Sequence, residues 1–385
     1  MYPVKKLQDC ATIIAGQSPE SKYYNTVGDG IPFFQGKADF GELYPSARVY
    51  CTNPTKIAQY NDILLSVRAP VGPTNLSPGK VCIGRGLAAI RPDSSLNLKY
   101  LLYYFRYFES QLSSKGTGTT FKAITQKTIK NLDVPAPPME EQVKIVARID
   151  ELFSELDKAV DTLNTTKEQL AVYRQAVLKD AFSCLPETVE MDKIADMIDP
   201  QPSHRTPPEC KNGIPYIGIG DIDYQNKKIN FEDARKVSPE ILDEHLHRYT
   251  IHKGDFVMGK IGTIGKPYKI PDEQNYALSA NVILIQPNKE KICPEFLFWQ
   301  FSSSLVTKQL TLGAKATSQP AFGIKKARLL SIKICELEKQ FKIIKRLEAE
   351  MSCCDNIEKT VDTALAQADA MRQSILKQAF EEGIV

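Results

Sequence analysis

The sequence predicts an α+β protein: two globular lobes joined by two long antiparallel coiled-coil helices, with the second half repeating the first. Three observations carry this expectation. "YRQAVLKDAF" (Tyr173–Phe182) returns 198 residues later as "MRQSILKQAF" (Met371–Phe380). Each copy closes a stretch in which apolar residues recur at every seventh position. Outside those stretches lie short Val-, Ile- and Leu-rich segments bounded by turn residues, which is the pattern of strands.

A chain of 385 residues has room for two cores, since single cores rarely grow beyond roughly 250 to 300 residues. With 42% apolar and 25% charged residues it reads as globular, not disordered or collagen-like. The start, "MYPVKKLQDC", has no apolar export segment, and nowhere do about 18 apolar residues run together, so a cytoplasmic chain is expected. The nine cysteines are scattered and odd in number, so they are expected to be reduced. No C-x-x-C occurs, and His245, His247 and His252 lack a second group of ligands at zinc spacing, so no metal site is expected.

Charge divides the chain into four segments. Residues 1 to 138, the expected first lobe, hold 16 Lys or Arg against 9 Asp or Glu, and residues 139 to 186, the central helix, hold 6 against 9. Residues 187 to 335, the second lobe, hold 20 against 18, and residues 336 to 385, the C-terminal helix, hold 7 against 10. A polyanion would therefore meet the lobes and not the helices.

The acidic segments carry the heptads. Ile149, Leu156, Leu163, Leu170 and Val177 are matched, 198 residues on, by Leu347, Cys354, Val361, Ala368 and Ile375. A companion series, Ile145, Leu152, Ala159, Thr166 and Tyr173, is matched by Ile343, Glu350, Ile357, Ala364 and Met371. A seven-residue repeat sustained over four to five heptads marks helices that pair along a seam. From Glu140 to Phe182 the chain would form a helix about 65 Å long at roughly 1.5 Å per residue. In the chain order lobe, helix, lobe, helix, an antiparallel pair relates the halves by an approximate two-fold and sets Leu156 near Ala364 or Ala368.

The lobes repeat more loosely. "GIPFFQGKAD" from Gly30 aligns with "GIPYIGIGD" from Gly213, and "DILLSVRAPVG" from Asp62 with "DFVMGKIGTIG" from Asp255. "LKYLLYYFRYFESQL" (Leu98–Leu112) and "PEFLFWQFSSSLV" (Pro294–Val306) have helical spacing. Gly/Thr-rich stretches, "GTGTTFKAIT" from Gly116 and "GAKATSQPAFGIKK" from Gly313, precede each long helix. The first of these helices opens at "VPAPPMEEQ", where Pro137 and Pro138 need no N–H partner and Glu140 and Glu141 suit the positive helix end.

Taken together, the two "GIP-aromatic" strands, the paired "D-apolar-apolar" strands, the Gly/Thr stretches, "PPMEEQ" and the doubled "RQ-x-x-LK-x-AF" at Arg174 and Arg372 make the chain resemble the specificity subunits of Type I restriction and modification systems. The resemblance covers essentially the whole length. It implies that each lobe is a target recognition domain reading one half of a split site in double-stranded DNA. The helices would act as spacer and as docking surface for methyltransferase subunits, two of them, with restriction subunits joining the assembly. It further implies a non-catalytic subunit without a cofactor of its own, S-adenosylmethionine, ATP and magnesium belonging to the partners. The second helix start, "CELEKQ" from Cys335, departs from the pattern: it lacks the prolines and has Lys339 where the first copy has Glu141.

For such a reader, Lys and Arg supply phosphate contacts, while Arg, Asn, Gln and Thr supply contacts to base edges. Two heads spaced by about one DNA turn, roughly 34 Å, or a multiple of it, can enter one groove face. The candidates are Lys37, Arg68, Asn75, Arg85, Lys115, Thr117, Thr119 and Lys122 in the first lobe. In the second they are Lys260, Lys266, Lys269, Lys315, Thr317, Gln319, Lys325 and Lys326. Any one of them taken alone reads more readily as a solvated surface residue. Enzyme motifs fail in detail. "GKIGTIGKP" has Lys260 where a P-loop needs Gly and Pro267 where it needs a hydroxyl, and "DPQP" from Asp199 lacks the aromatic of an amino-methyltransferase motif. "GIGD" (Gly218–Asp221) reads as a turn after a strand. The alternative function is a protein-binding scaffold with paired lobes on a coiled-coil rod and no DNA specificity.

Overall fold

The computed structural model describes residues 2–116, 123–314 and 321–382. It divides into two compact bodies, one of residues 1–164 with 362–385 and one of residues 165–361.

Each body contains the same four-stranded antiparallel sheet. In the first the order is Ala11–Ala15, Leu87–Pro92, Ile63–Ser66, Thr74–Leu76; in the second it is Ala195–Ile198, Val282–Pro287, Phe256–Gly259, Pro267–Lys269. Register repeats as well: Pro92 faces Ala11 and Ile90 faces Ile63, as Pro287 faces Ala195 and Ile285 faces Phe256. The "GIP" segments form strands Ile31–Phe34 and Ile214–Ile217, each paired in parallel with a short strand, Phe33 beside Cys82 and Tyr216 beside Ala277. The glycine of that motif answers a close approach of backbone. A Cβ on Gly30 would stand 2.2 Å from the Cys51 carbonyl oxygen, and one on Gly213 would stand 1.9 Å from that of Val237.

Against each sheet lies helix. Leu98–Ser114 is continuous, whereas the segment read as one helix from Pro294 to Val306 is two, Pro294–Phe301 and Ser304–Gly313. The break falls at Ser302 and Ser303. Their hydroxyls donate to the carbonyls of Phe298 and Gln300, offering the backbone an alternative to continued helix.

The long helices run Met139–Ser183 and Leu337–Lys377, and both cross from one body's residues to the other's. Eight of the ten first-series heptad positions are buried; Leu163 and Ile375 are half-buried. Within residues 165–361 the helices run antiparallel, because Arg174 pairs with Asp355 and Glu358 at 2.7 Å while Asp180, further on, pairs with Arg346, further back. In the other body Arg372 pairs with Asp157 and lies over the Phe153 ring. The pairs Arg174–Asp355 and Arg372–Asp157 are one contact repeated 198 residues apart.

The companion series differs from expectation. Tyr173, Ile357 and Met371 are exposed, and the second seam row lies four residues after the first, through Val146, Phe153, Arg174 and Ala181 and through Ile344, Met351, Glu358, Arg372 and Ala379. Leu152 and Phe153, like Ile343 and Ile344, are adjacent apolar residues, so period alone does not choose between them. The lobe helix chooses, since Phe153 packs edge-on against Tyr103 at 5.6 Å.

The repeated helix ending has a packing cause. Phe380 enters an aromatic cluster with Tyr100, Tyr104 and Tyr107, at ring distances of 5.3, 5.4 and 5.5 Å, and Phe182 meets Phe296 at 5.3 Å. Each ending thus completes the core of one body. The helix starts are fastened alike by a fully buried glutamine. Gln142 accepts from the Asn97 N–H at 2.7 Å and donates to the Pro137 and Ser95 carbonyls at 2.8 and 2.9 Å. Gln340 accepts from the Cys293 N–H at 2.8 Å and donates to the Cys335 carbonyl at 2.7 Å.

Candidate nucleic-acid interface

At one end of each sheet the loops are tied together by backbone hydrogen bonds. In the first lobe Val67, just past the strand Ile63–Ser66, donates to the Gly86 carbonyl at 2.9 Å and accepts from the Ile124 N–H at 3.0 Å. Gln17 donates to the Ile83 carbonyl at 2.9 Å, and Gly84 to that of Phe34 at 2.8 Å. These bonds bring Arg68, Arg85 and the turn Lys37–Asp39 to the same end, and all three cations are exposed. Asp39 shapes that turn by accepting from the Gln35 N–H at 3.0 Å and pairing with Arg48. Lys115 ends the lobe helix, its ammonium 5.7 Å from the Phe108 ring centre. Beyond Gly116 the description resumes at Ala123, which bridges to Arg68.

The second lobe repeats the tie. Lys260 donates to the Asn281 carbonyl at 2.7 Å and accepts from the Phe322 N–H at 2.9 Å, Ile261 bridges Ala321, and Ser279 donates to the Ile217 carbonyl at 2.8 Å. Apart from the bridging alanines Ala123 and Ala321, the side chains differ. Lys260 is buried, its ammonium 2.6 Å from Asp199 and 3.5 Å from His204 Nδ1. Asp199, His204, Lys260, Lys325 and Lys326 line a cleft of about 360 Å³. Lys326 donates to the Gly313 carbonyl at 2.8 Å, while Lys325 stands exposed on the turn Ile324–Arg328. Lys266 lies 4.0 Å from the centre of the Tyr224 ring, a phenol that burial pushes up to about 12, so it stays neutral. Lys269 lies 5.1 Å from the Phe298 ring centre and 4.0 Å from Glu295.

The loop holding Asp199 and His204 is itself anchored. Gln201 accepts from His245 Nε2 at 3.0 Å, and His245 Nδ1 meets the Tyr249 hydroxyl at 2.8 Å. Burial, with Arg248 nearby, lowers the His245 pKa to about 4, so the ring is neutral at pH 7.

Of the sequence candidates, Lys37, Arg68 and Arg85 converge in one lobe, and Lys260, Lys325 and Lys326 in the other. Asn75 does not converge with them: it is buried, its side chain bonded to both backbone groups of Gly41 at 3.0 and 2.9 Å. In the stretch "VGPTNLSPGK", rich in turn residues, Asn75 gives no sign in sequence of such a backbone clamp. Thr117, Thr119, Lys122, Lys315, Thr317 and Gln319 lie outside the described residues. Sequence reasoning passed over His204, whose backbone has φ +53, and Asp199, which it weighed only as part of a failed motif. It also passed over Asp221, which accepts from the Gly218 N–H at 2.8 Å inside the "GIGD" turn. Among the described residues no group of three His, Cys, Asp or Glu could hold a metal ion, and no helix is long and apolar enough to cross a membrane.

The family model for the Type I restriction modification DNA specificity domain matches residues 2–170 and 186–367. The chain is 41% identical over 167 residues to the MjaX chain of Methanocaldococcus jannaschii, covering 43% of this chain and 38% of that one. It is 25% identical over 315 residues to the Type I restriction enzyme EcoBI specificity subunit of Escherichia coli, covering 75% of this chain and 66% of the relative. A crystal structure of the HsdS subunit from Thermoanaerobacter tengcongensis shares 49% identity over 40% of this chain and 37% of that one, with a TM-score of 0.37. The chain therefore spans less than two thirds of the length of the MjaX and EcoBI relatives. With the family model matched twice, over most of its residues, the chain belongs to the Type I restriction modification DNA specificity family.

Proposed function

We propose that this chain is the DNA-reading subunit of a Type I restriction-modification complex, each lobe reading one half of a two-part, asymmetric site. One observation carries the reading: two loop clusters share a backbone bonding pattern and differ in nearly every side chain that the pattern presents. A common frame with dissimilar side chains is what reading two different base sequences requires. Lys37, Arg68, Arg85 and Lys115 in one lobe, and Lys266, Lys269, Lys325 and Lys326 in the other, supply phosphate contacts. The long helices set the half-site spacing and dock the methyltransferase subunits.

An apolar groove on the helices supports the docking role. It is lined by Leu170, Val172, Tyr173, Cys353 and Ile357, of which Val172 is 71% and Tyr173 52% exposed. Exposed apolar surface of this kind marks an interaction site. Met371, the repeat partner of Tyr173, is exposed to a similar degree at 54%, which supports two equivalent docking surfaces and hence two methyltransferase subunits. Methyl transfer and cleavage belong to the partners, as do S-adenosylmethionine, ATP and magnesium, and the complex works in the cytoplasm.

The test is to sequence methylated bases in cells with and without this gene. Loss of a two-part methylated motif on deletion is the expected result. An unchanged methylome, with no salt-dependent DNA binding by the assembled complex, would leave the scaffold reading in its place.

A further inference from the structure

The two lobes differ at one largely enclosed pair, whose side chains in the second lobe are 10% (Lys260) and 14% (Asp199) exposed. By strand register, Ala15 in the first sheet holds the place of Asp199 in the second, since each lies four residues beyond the residue facing Pro92 or Pro287. By backbone bonding, Val67 holds the place of Lys260. Lys260 and Val67 are buried alike, at 8% and 9% exposure. One framework therefore accommodates two apolar residues in one lobe and an ion pair in the other. Folding does not require the charges at this place, and burying them carries a desolvation cost that an apolar pair avoids.

Resting on the proposed reading of the lobes, we infer that Asp199 and Lys260 determine base specificity in the second half-site. They offer a hydrogen-bond donor and an acceptor side by side at the floor of the cleft of about 360 Å³. Lys260 has three N–H donors, one directed to Asp199 and one toward His204 at the long distance of 3.5 Å. Asp199 spends its other oxygen on the Gln201 N–H at 3.3 Å. Both partners thus keep bonding capacity. The complementary ligand is a base edge with an acceptor beside a donor, such as N7 and N6 of adenine or the O6–N4 junction of a G·C pair. A phosphate fits less well, because it offers acceptors only and would meet the Asp199 carboxylate. Phosphates are served at the rim by Lys325, whose side chain is exposed.

The experiment uses the full complex with its methyltransferase subunits and a DNA library randomised at both half-sites, with methylation read by sequencing at two salt concentrations. Lys260→Met and Asp199→Asn are each expected to relax one base position in a single half-site by about tenfold or more, leaving the other half-site and the salt dependence unchanged. The double variant Asp199→Ala with Lys260→Val, which imports the first lobe's pair, should fold and show the same relaxation. Weaker methylation of all sequences with a flatter salt dependence would make Lys260 a phosphate contact and overturn the inference. Unchanged preferences, or a double variant that cannot fold, would make the pair structural and overturn it equally. A wild-type complex with no two-part motif would instead sink the underlying reading, which keeps the two failures apart.

Discussion

Replacing Gln142 with Met removes a buried clamp while nearly preserving side-chain volume. The substitution strips one N–H, that of Asn97, and two carbonyls, those of Ser95 and Pro137, of partners at 2.7 to 2.9 Å in a site with no exposure. At roughly 1 to 3 kcal/mol for each of the three groups left unpaired, toward the low end for the half-buried Asn97 and Ser95, the loss is about 3 to 6 kcal/mol. That is a large part of the roughly 5 to 15 kcal/mol that holds a typical domain. Two compact bodies need not unfold together, so a single unfolding free energy is a poor readout. Native-state hydrogen exchange at the Asn97 amide reports the affected region directly, and protection there should fall about a hundredfold or more. Gln340→Met should lower protection at the Cys293 amide less, because one of its three contacts, to the Lys291 carbonyl, is stretched to 3.5 Å. Loss of less than tenfold at Asn97 would refute the clamp.

Three further outcomes follow from the same geometry. Burying His245 neutral, with its pKa lowered from 6.5 to about 4, lets the unfolded chain take up a proton that the folded chain refuses; stability therefore falls with pH between about 6.5 and 4, by about 2 kcal/mol from pH 7 to pH 5. Urea titrations at the two pH values check this, and His245→Gln should flatten the difference. Asn75→Ala should lower the melting temperature through loss of the Gly41 clamp while leaving the salt dependence of DNA binding intact; a flatter salt dependence would return Asn75 to the interface. Lys115→Ala with Lys122→Ala should weaken binding to all sequences and reduce the slope of log affinity against log salt by about 1 to 2, and an unchanged slope would remove that stretch from contact.

The frame was legible in sequence wherever a period or a repeat reported it. The heptads at Ile149 and Leu347, the "GIP" strands and the helix endings at Phe182 and Phe380 all reflect burial repeated along the chain, which composition cannot hide. What stayed hidden was decided by contacts between distant segments. Two neighbouring apolar residues, Leu152 and Phe153, both satisfy the period, and only Tyr103 selects the second. Asn75 looks like any polar loop residue until Gly41 is brought beside it. Lys260 reads as one more surface cation until Asp199, 61 positions away, pairs with it. The serines at 302 and 303 read as part of a helix because their hydroxyls bond to carbonyls only once that helix has formed.

Phe380 sits among Tyr100, Tyr104 and Tyr107, so the body that opens the chain is finished only by residues near its far end. During synthesis the leading portion emerges with that aromatic surface bare and stays so until roughly 200 further residues have been translated, at about 5 to 20 residues per second. A nascent chain of this layout has tens of seconds in which an incomplete, sticky intermediate needs shelter, and a stop codon between the two segments would cripple the body that the earlier one begins.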